Sequence, residues 1–175
     1  FKAHGLSGNN LWASFYAADS AAKNHPRIML AAHWDTRPIA ERDKLPGKRL
    51  EPVIGANDGA SGVAVLLEMA RLLSSQRAPV TVDLVFFDLE DMGNIDGLPF
   101  SIGASEFVRQ NPFYRPTAGV VVDMVCDRDL VIPKERFSRD SAAELQDKIW
   151  HIARSQGAKV FIDRKGTYIE DDHLP

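Results

Sequence analysis

Cysteine is almost absent. Cys126 is the single one in 175 residues, so no internal disulfide framework can form. The compartment stays open on that ground, because exported proteins can also lack disulfides. An excess of positive charge is missing as well: Lys and Arg number 21 against 24 Asp and Glu, for a net charge of −3. That balance argues against a nucleic-acid partner or an anionic membrane surface. Long apolar runs are also lacking. The run after Gly59 meets Glu68, and Ile28 to Ala32 meets His33 and Asp35, so no segment reads as a membrane span. No secretory leader is visible, and the start at Phe1 rather than Met leaves room for a removed upstream segment. Repeats and low-complexity tracts are absent.

What is present is the mix of an ordinary globular chain, 45% apolar and 26% charged. The length fits one domain, 1–175, that buries roughly two-thirds of its unfolded surface and needs neither disulfide nor metal merely to fold. Asn10 to Ala17 and Arg27 to Ala32 read as strands, and the polar turn Asp19 to Pro26 between them predicts an antiparallel hairpin. Thr36 to Pro52 is a long charged loop of the kind that is functional or mobile. Ser61 to Leu73 is apolar on nearly every side and predicts a largely buried helix. Val80 to Phe87 is β-branched and aromatic, a buried strand. A short helix is expected over Gly103 to Arg109, ended by Asn111-Pro112, and a strand over Gly119 to Val122. Ser141 to Glu144 has the form of a capping box, with Leu145, Ile149 and Ile152 on one face behind it and Gly157 at the C-terminal end. Lys159 to Ile162 is a last short strand. Alternating strands and helices predict an α/β fold, a three-layer αβα sandwich around a mixed, mostly parallel sheet.

The charged residues fall where these apolar runs stop. Arg27 to Ala32 ends in His33-Trp34-Asp35, Val80 to Phe87 in Asp88-Leu89-Glu90-Asp91, and Gly119 to Val122 in Asp123. The turn before the first long helix carries Asn57-Asp58-Gly59. Open α/β sheets bind ligands beyond the carboxyl ends of their strands. His33, Asp35, Asp58, Glu90, Asp91 and Asp123 are therefore expected on one rim. Five carboxylates with no Lys or Arg among them would repel unless a cation sits between them, and imidazole with carboxylate suits zinc. A single strand-end acid would more simply cap a helix or bind loop amides; acids from four separate segments are not explained so easily. Asp35, two residues from His33, can orient the imidazole. Glu90 and Asp91, being adjacent, point different ways, so one can ligate while the other stays free as a general base.

Other motifs are weaker. Gly59-Ala60-Ser61-Gly62 lacks nucleophile-elbow spacing, so Ser61 belongs to the helix start. Asp127 and Asp129 lack the glycine and closing Glu of a calcium loop. His4, His25 and His151 are surface or packing residues, and Cys126 a small core residue.

Ala32 to Pro38 (AHWDTRP), Gly55 to Gly62 (GANDGASG), Phe86 to Asp91 (FFDLED), Val122 to Val125 (VDMV) and Asp171 to Pro175 (DDHLP) stand in that order. Together they resemble the bacterial members of the animal-type glutaminyl cyclases, relatives of the co-catalytic zinc aminopeptidases. The resemblance runs from about Asn10 onward. It implies Asp58 and Asp91 as ligands of Zn2+, Glu90 as the proton-transferring base, and Asp123 and Asp172 as the acidic network beside it. In the aminopeptidase branch His33 and Asp123 hold a second zinc, with Asp58 bridging the two. The pair Asp171-Asp172 before His173 is closer to the cyclase pattern. The resemblance also implies a further ligand, a histidine well beyond the DDH motif, so a C-terminally incomplete domain is expected. Asp91 stands where many relatives have Glu.

Three functions follow from it as expectations. The first is a zinc-dependent glutaminyl-peptide cyclotransferase, converting an N-terminal glutamine to pyroglutamate with release of ammonia. The second is a di-zinc aminopeptidase, and the third an inactive homologue. Peptide or protein N-termini are the expected substrates, and a periplasmic or secreted location is implied by resemblance alone. Trp34 and Phe100 are expected to pack in the core, with the lining of a substrate pocket as the alternative.

Overall fold

The burial pattern of two strands organises the molecule. In a computed structural model that describes residues 1–18 and 26–175, β4 (Arg27–His33) and β5 (Thr81–Phe87) lie side by side and parallel, with His33 opposite Phe87. Short antiparallel strands β1 (Lys2–Ala3) and β2 (Leu6–Ser7) precede them. β3 (Leu11–Phe15) pairs antiparallel with the other edge of β5, and β6 (Ala118–Val121) pairs parallel with β4. The four-stranded sheet has the order β3-β5-β4-β6 and is mixed but mostly parallel.

Alternation along these strands sends side chains to opposite faces. Ala32, Val82 and Leu84 meet Leu66 and Leu73 of helix α1 (Ala60–Ser75) on one face. Ala31, Val85 and Phe87 meet Ala104 and Phe107 of helix α2 (Ile102–Gln110) on the other. A strand covered on both faces must be apolar at nearly every position, which is why β5 reads as an unbroken run. The three-layer α/β sandwich expected from the sequence is the observed architecture.

Several local expectations are corrected. β3 and β4 do not form a hairpin, because β5 lies between them; the proposed turn falls mostly in residues 19–25, outside those described. α1 is buried on one face only. Ser61, Gly62, Leu66 and Leu73 face the sheet, whereas Val65, Leu67 and Leu72 are exposed, since a helix laid on a flat sheet covers only a stripe. The last helix, α3 (Arg136–Ser155), begins well before the proposed capping box. Glu135 caps it, accepting from the amides of Phe137 and Ser138, and the box falls at a kink centred on Ala142. Gly157, with φ +84°, ends the helix as expected. β7 (Ile132–Lys134) and β8 (Phe161–Lys165) form a separate parallel pair against α3, and the Trp150 indole donates to the carbonyls of Ile132 and Ile162. The strand expected from Lys159 thus starts two residues later, after a turn closed by Phe161 N to Ala158 O.

Candidate metal centre

Register carries the acids to one end of the sheet. β4 delivers His33 at its last position, β5 runs out into Glu90 and Asp91, and β6 runs out into Asp123. The turn before α1 brings Asp58 over the same rim. His33 is buried, 1% exposed, with Nε2 at 3.1 Å from Asp58 Oδ1 and 3.2 Å from Asp123 Oδ1. Ligand atoms of these three residues lie within 4.8 Å of one another. Nδ1 has no hydrogen-bond partner and points towards Asp35 Oδ1, 3.4 Å away. Burial opposes a charged imidazole, but the carboxylates of Asp123, Asp35 and Asp58 outweigh it, so the His33 pKa is raised. Asp35 also takes the amide of Glu90 on one oxygen at 3.0 Å and that of Asp91 on the other at 3.1 Å, tying the ends of β4 and β5 together.

A second acidic group lies beside the first. Glu90, Asp91 and Asp172 are all buried. Both carboxyl oxygens of Asp172 are buried without a partner. Its pKa is raised well above the usual carboxylate range, first by burial and then by the charge of Asp171. Burial, with Asp172 next, pushes Glu90 up to about 9. Asp91 is also raised, by burial and by Asp58. Glu90 and Asp91 have different neighbours, as their adjacency suggested. Ser101 Oγ lies 3.5 Å from Glu90 Oε1, whereas Arg37 Nη1 lies 3.2 Å from Asp91 Oδ1.

The model of peptidase family M28 matches residues 13–175. The chain belongs to that family. Among solved structures, the M28 chain is similar to a leucine aminopeptidase precursor from Bacteroides thetaiotaomicron, with 36% identity and a TM-score of 0.86 over 97% of this chain and 60% of that one. It is similar as well to a glutaminyl cyclase of the same species, with 34% identity and a TM-score of 0.81 over 95% of this chain and 64% of that one. A Zn-dependent exopeptidase from Parabacteroides distasonis matches at 35% identity and TM-score 0.81, over 94% of this chain and 57% of that one. The protein YfbL of Escherichia coli is 40% identical over 85 residues, 44% of this chain and 25% of that protein. The M28 chain thus spans less than two-thirds of the length of each of these relatives.

The donor set fits a divalent metal such as zinc. One imidazole nitrogen and two carboxylate oxygens converge from separate elements, and the remaining imidazole nitrogen faces a carboxylate that can orient it. Within the described residues this grouping is the His33, Asp58 and Asp123 set, which the sequence placed at a second metal; Asp91, expected as a ligand, is not part of it, and the Asp58 charge raises its pKa.

Some expectations about the rim of this M28 chain need correction. The acids are not free of basic residues. Arg37 folds back from the long loop, and its guanidinium donates to the Asp91 carbonyl at 3.0 Å, the Asp91 carboxylate at 3.2 Å and the Gly93 carbonyl at 3.0 Å. Its position inside the AHWDTRP motif was the available signal. Cys126 is exposed rather than part of the core, because its amide is held by Asn57 while the thiol turns outward. Trp34 is 42% exposed, so it is no core residue; its indole donates to the Asn9 carbonyl. Phe100 is half-buried and lies over Gly93, near the Arg37 guanidinium. His4 and His151 are exposed, whereas His25 is outside the described residues.

Gly59 and Gly62 allow the close approaches at the rim. Gly59 has φ +83°, and a Cβ there would sit 2.7 Å from the Asp35 carbonyl oxygen and 3.1 Å from the His33 ring. At Gly62 a Cβ would sit 2.1 Å from the Val122 carbonyl oxygen.

Proposed function

We propose that the protein is a zinc-dependent glutaminyl-peptide cyclotransferase that closes an N-terminal glutamine into pyroglutamate and releases ammonia. The observation that carries this reading is the burial of Glu90 at the rim, with the charge of Asp172 raising its pKa. Two buried carboxyls stand beside the candidate metal centre, neither held by a basic side chain among the described residues, and burial raises the proton affinity of both, which suits Glu90 to take up and return a proton. Cyclisation needs such a proton relay and no water.

Asp58 and Asp91 would hold the zinc, and His33 and Asp123 lie within reach of Asp58. When bound, the metal supplies Lewis-acid polarisation of the γ-carboxamide carbonyl. Glu90 takes a proton from the α-amine as its nitrogen bonds to the γ-carbon. It returns that proton to the amide nitrogen as the bond to ammonia breaks. Asp172, shielded from solvent, raises the proton affinity of Glu90, and Asp35 holds the Glu90 backbone in place. The glutaminyl cyclases among the similar structures support the same reading.

A second reading is hydrolysis of the first peptide bond. It is favoured by the closeness of His33, Asp58 and Asp123, a donor set suited to a second metal, and by the similarity to a leucine aminopeptidase precursor. Mass spectrometry of a Gln-Phe dipeptide incubated with zinc-loaded protein separates the two. Loss of one ammonia from an intact dipeptide is the expected result, whereas free phenylalanine would replace the cyclase with the peptidase.

A further inference from the structure

Asp123 lies beyond the last residue of β6, and the last bond of that ladder is Val122 N to Ala31 O at 2.8 Å. The segment that follows is irregular, and Met124 sits in the left-handed region at φ +49°, a conformation that a side-chain-bearing residue keeps only when its surroundings impose it. The sheet therefore carries Asp123 to the rim but holds it only on its N-terminal side. Two side chains from the opposite wall of the site hold the segment on its other side. Asn57 Oδ1 accepts the Cys126 amide at 2.7 Å, and Ser61 Oγ accepts the Val125 amide at 2.9 Å while donating to the Asn57 carbonyl at 2.5 Å. These bonds join residues 69 and 64 positions apart in the chain. Ser61 is buried and fixed in the first turn of α1, so the clamp is anchored to a rigid element.

We propose that Asn57 and Ser61 are positioning residues of the metal centre, setting the separation between Asp58 and Asp123 by fastening the turn that carries one to the segment that carries the other. Neither side chain offers the metal a ligand. They act on two carboxylates that would otherwise repel and spread, and a metal site tolerates little slack in its donors. Asn suits position 57 because it supplies an acceptor oxygen without a further negative charge next to Asp58. The inference rests on the reading of this rim as a metal site.

The test compares wild type with Asn57→Leu, which removes the acceptor at similar volume, Asn57→Asp, which keeps it, and Ser61→Ala. Four quantities are read: zinc affinity by competition with a chelator, the visible spectrum of the cobalt-loaded protein, amide exchange of residues 123–127 in zinc-free protein, and the melting temperature. Asn57→Leu and Ser61→Ala are expected to weaken zinc binding by about tenfold or more. They should also alter the cobalt spectrum and speed exchange at Val125 and Cys126, with global melting nearly unchanged. Asn57→Asp should keep the exchange protection and bind zinc at least as tightly as wild type. Wild-type zinc affinity and spectrum in both Asn57→Leu and Ser61→Ala would overturn the positioning role while leaving the metal reading intact. No metal uptake by wild type would overturn both. If Asn57→Leu does not fold, Ser61→Ala, which deletes a single oxygen, decides the matter.

Discussion

Arg27 and Asp83 form an ion pair at the end of the sheet away from the candidate metal centre. Asp83 is fully buried in the middle of β5, and one guanidinium nitrogen of Arg27 donates to its two oxygens at 2.6 and 2.7 Å. Ser14 and Tyr114 hydroxyls donate to the same carboxylate at 2.6 and 2.7 Å, so β3, β4, β5 and the segment after α2 meet on one charge. Burial by itself would raise the Asp83 pKa, but these bonds outweigh it and hold it below the usual value. The charge is satisfied; removing a partner would leave the others stranded.

Asp83→Asn is expected to cost about 3 kcal/mol at neutral pH, at the lower end for a broken buried pair, because the Arg27 side chain remains 32% exposed. A native pKa below the unfolded one means the stabilisation is present above about pH 4 and is lost as pH falls through the native value. The urea midpoints of wild type and variant should therefore converge on acidification. A constant gap from pH 7 to pH 3 would refute the assignment.

Gly62→Ala is expected to destabilise the protein by about 1–3 kcal/mol. Helix propensity alone would favour alanine by up to about 1 kcal/mol. The new methyl, however, would meet the Val122 carbonyl oxygen at 2.1 Å and the Ala32 Cβ at 2.8 Å, and backbone cannot yield as a flexible side chain can. Urea unfolding measures the outcome, and a midpoint at or above wild type would show that α1 can lift off the sheet without cost.

Glu90→Gln is expected to retain zinc and lose at least about 100-fold in turnover, the contribution of a positioned general base. Its melting temperature should equal or exceed that of wild type, since the substitution removes a buried carboxyl that the charge of Asp172 disfavours when ionised. Metal content by elemental analysis and turnover by ammonia release are the readouts. Near-normal turnover would take the base role away from Glu90.

Arg37→Met is expected to loosen the loop over residues 38–52, because the guanidinium joins Glu41 of that loop to Asp91 and Gly93 outside it. Leu45 and Leu50 are exposed on it, and chymotrypsin should cut there faster in the variant. Arg37→Lys should not restore protection, since an ammonium cannot reproduce the planar fork. Equal cleavage rates in all three proteins would show that backbone bonds alone hold the loop.

The sequence by itself determined the fold class, the apolar runs of the central strands and the polar residues that end them. Those features are local: a strand buried on both faces must be apolar throughout, so His33, the Glu90-Asp91 pair and Asp123 mark where the apolar runs stop. Helix ends such as Asn111-Pro112 and Gly157 were legible for the same reason, because backbone restriction belongs to the residue itself.

Only the tertiary structure decided which segments meet. The sequence pointed to a hairpin between β3 and β4, yet β5 inserts between them, because strand pairing is a choice among distant segments that the turn residues do not encode. Asp83 passed as one polar residue in an apolar strand, since its partners lie 69, 56 and 31 residues away. Arg37, Asn57 and Ser61 were visible as motif letters, but their work consists of bonds to residues remote in sequence. Local composition sets what each segment can bury. Which charge meets which partner is settled only when the layers close and buried charges such as Asp83 have to find their bonds.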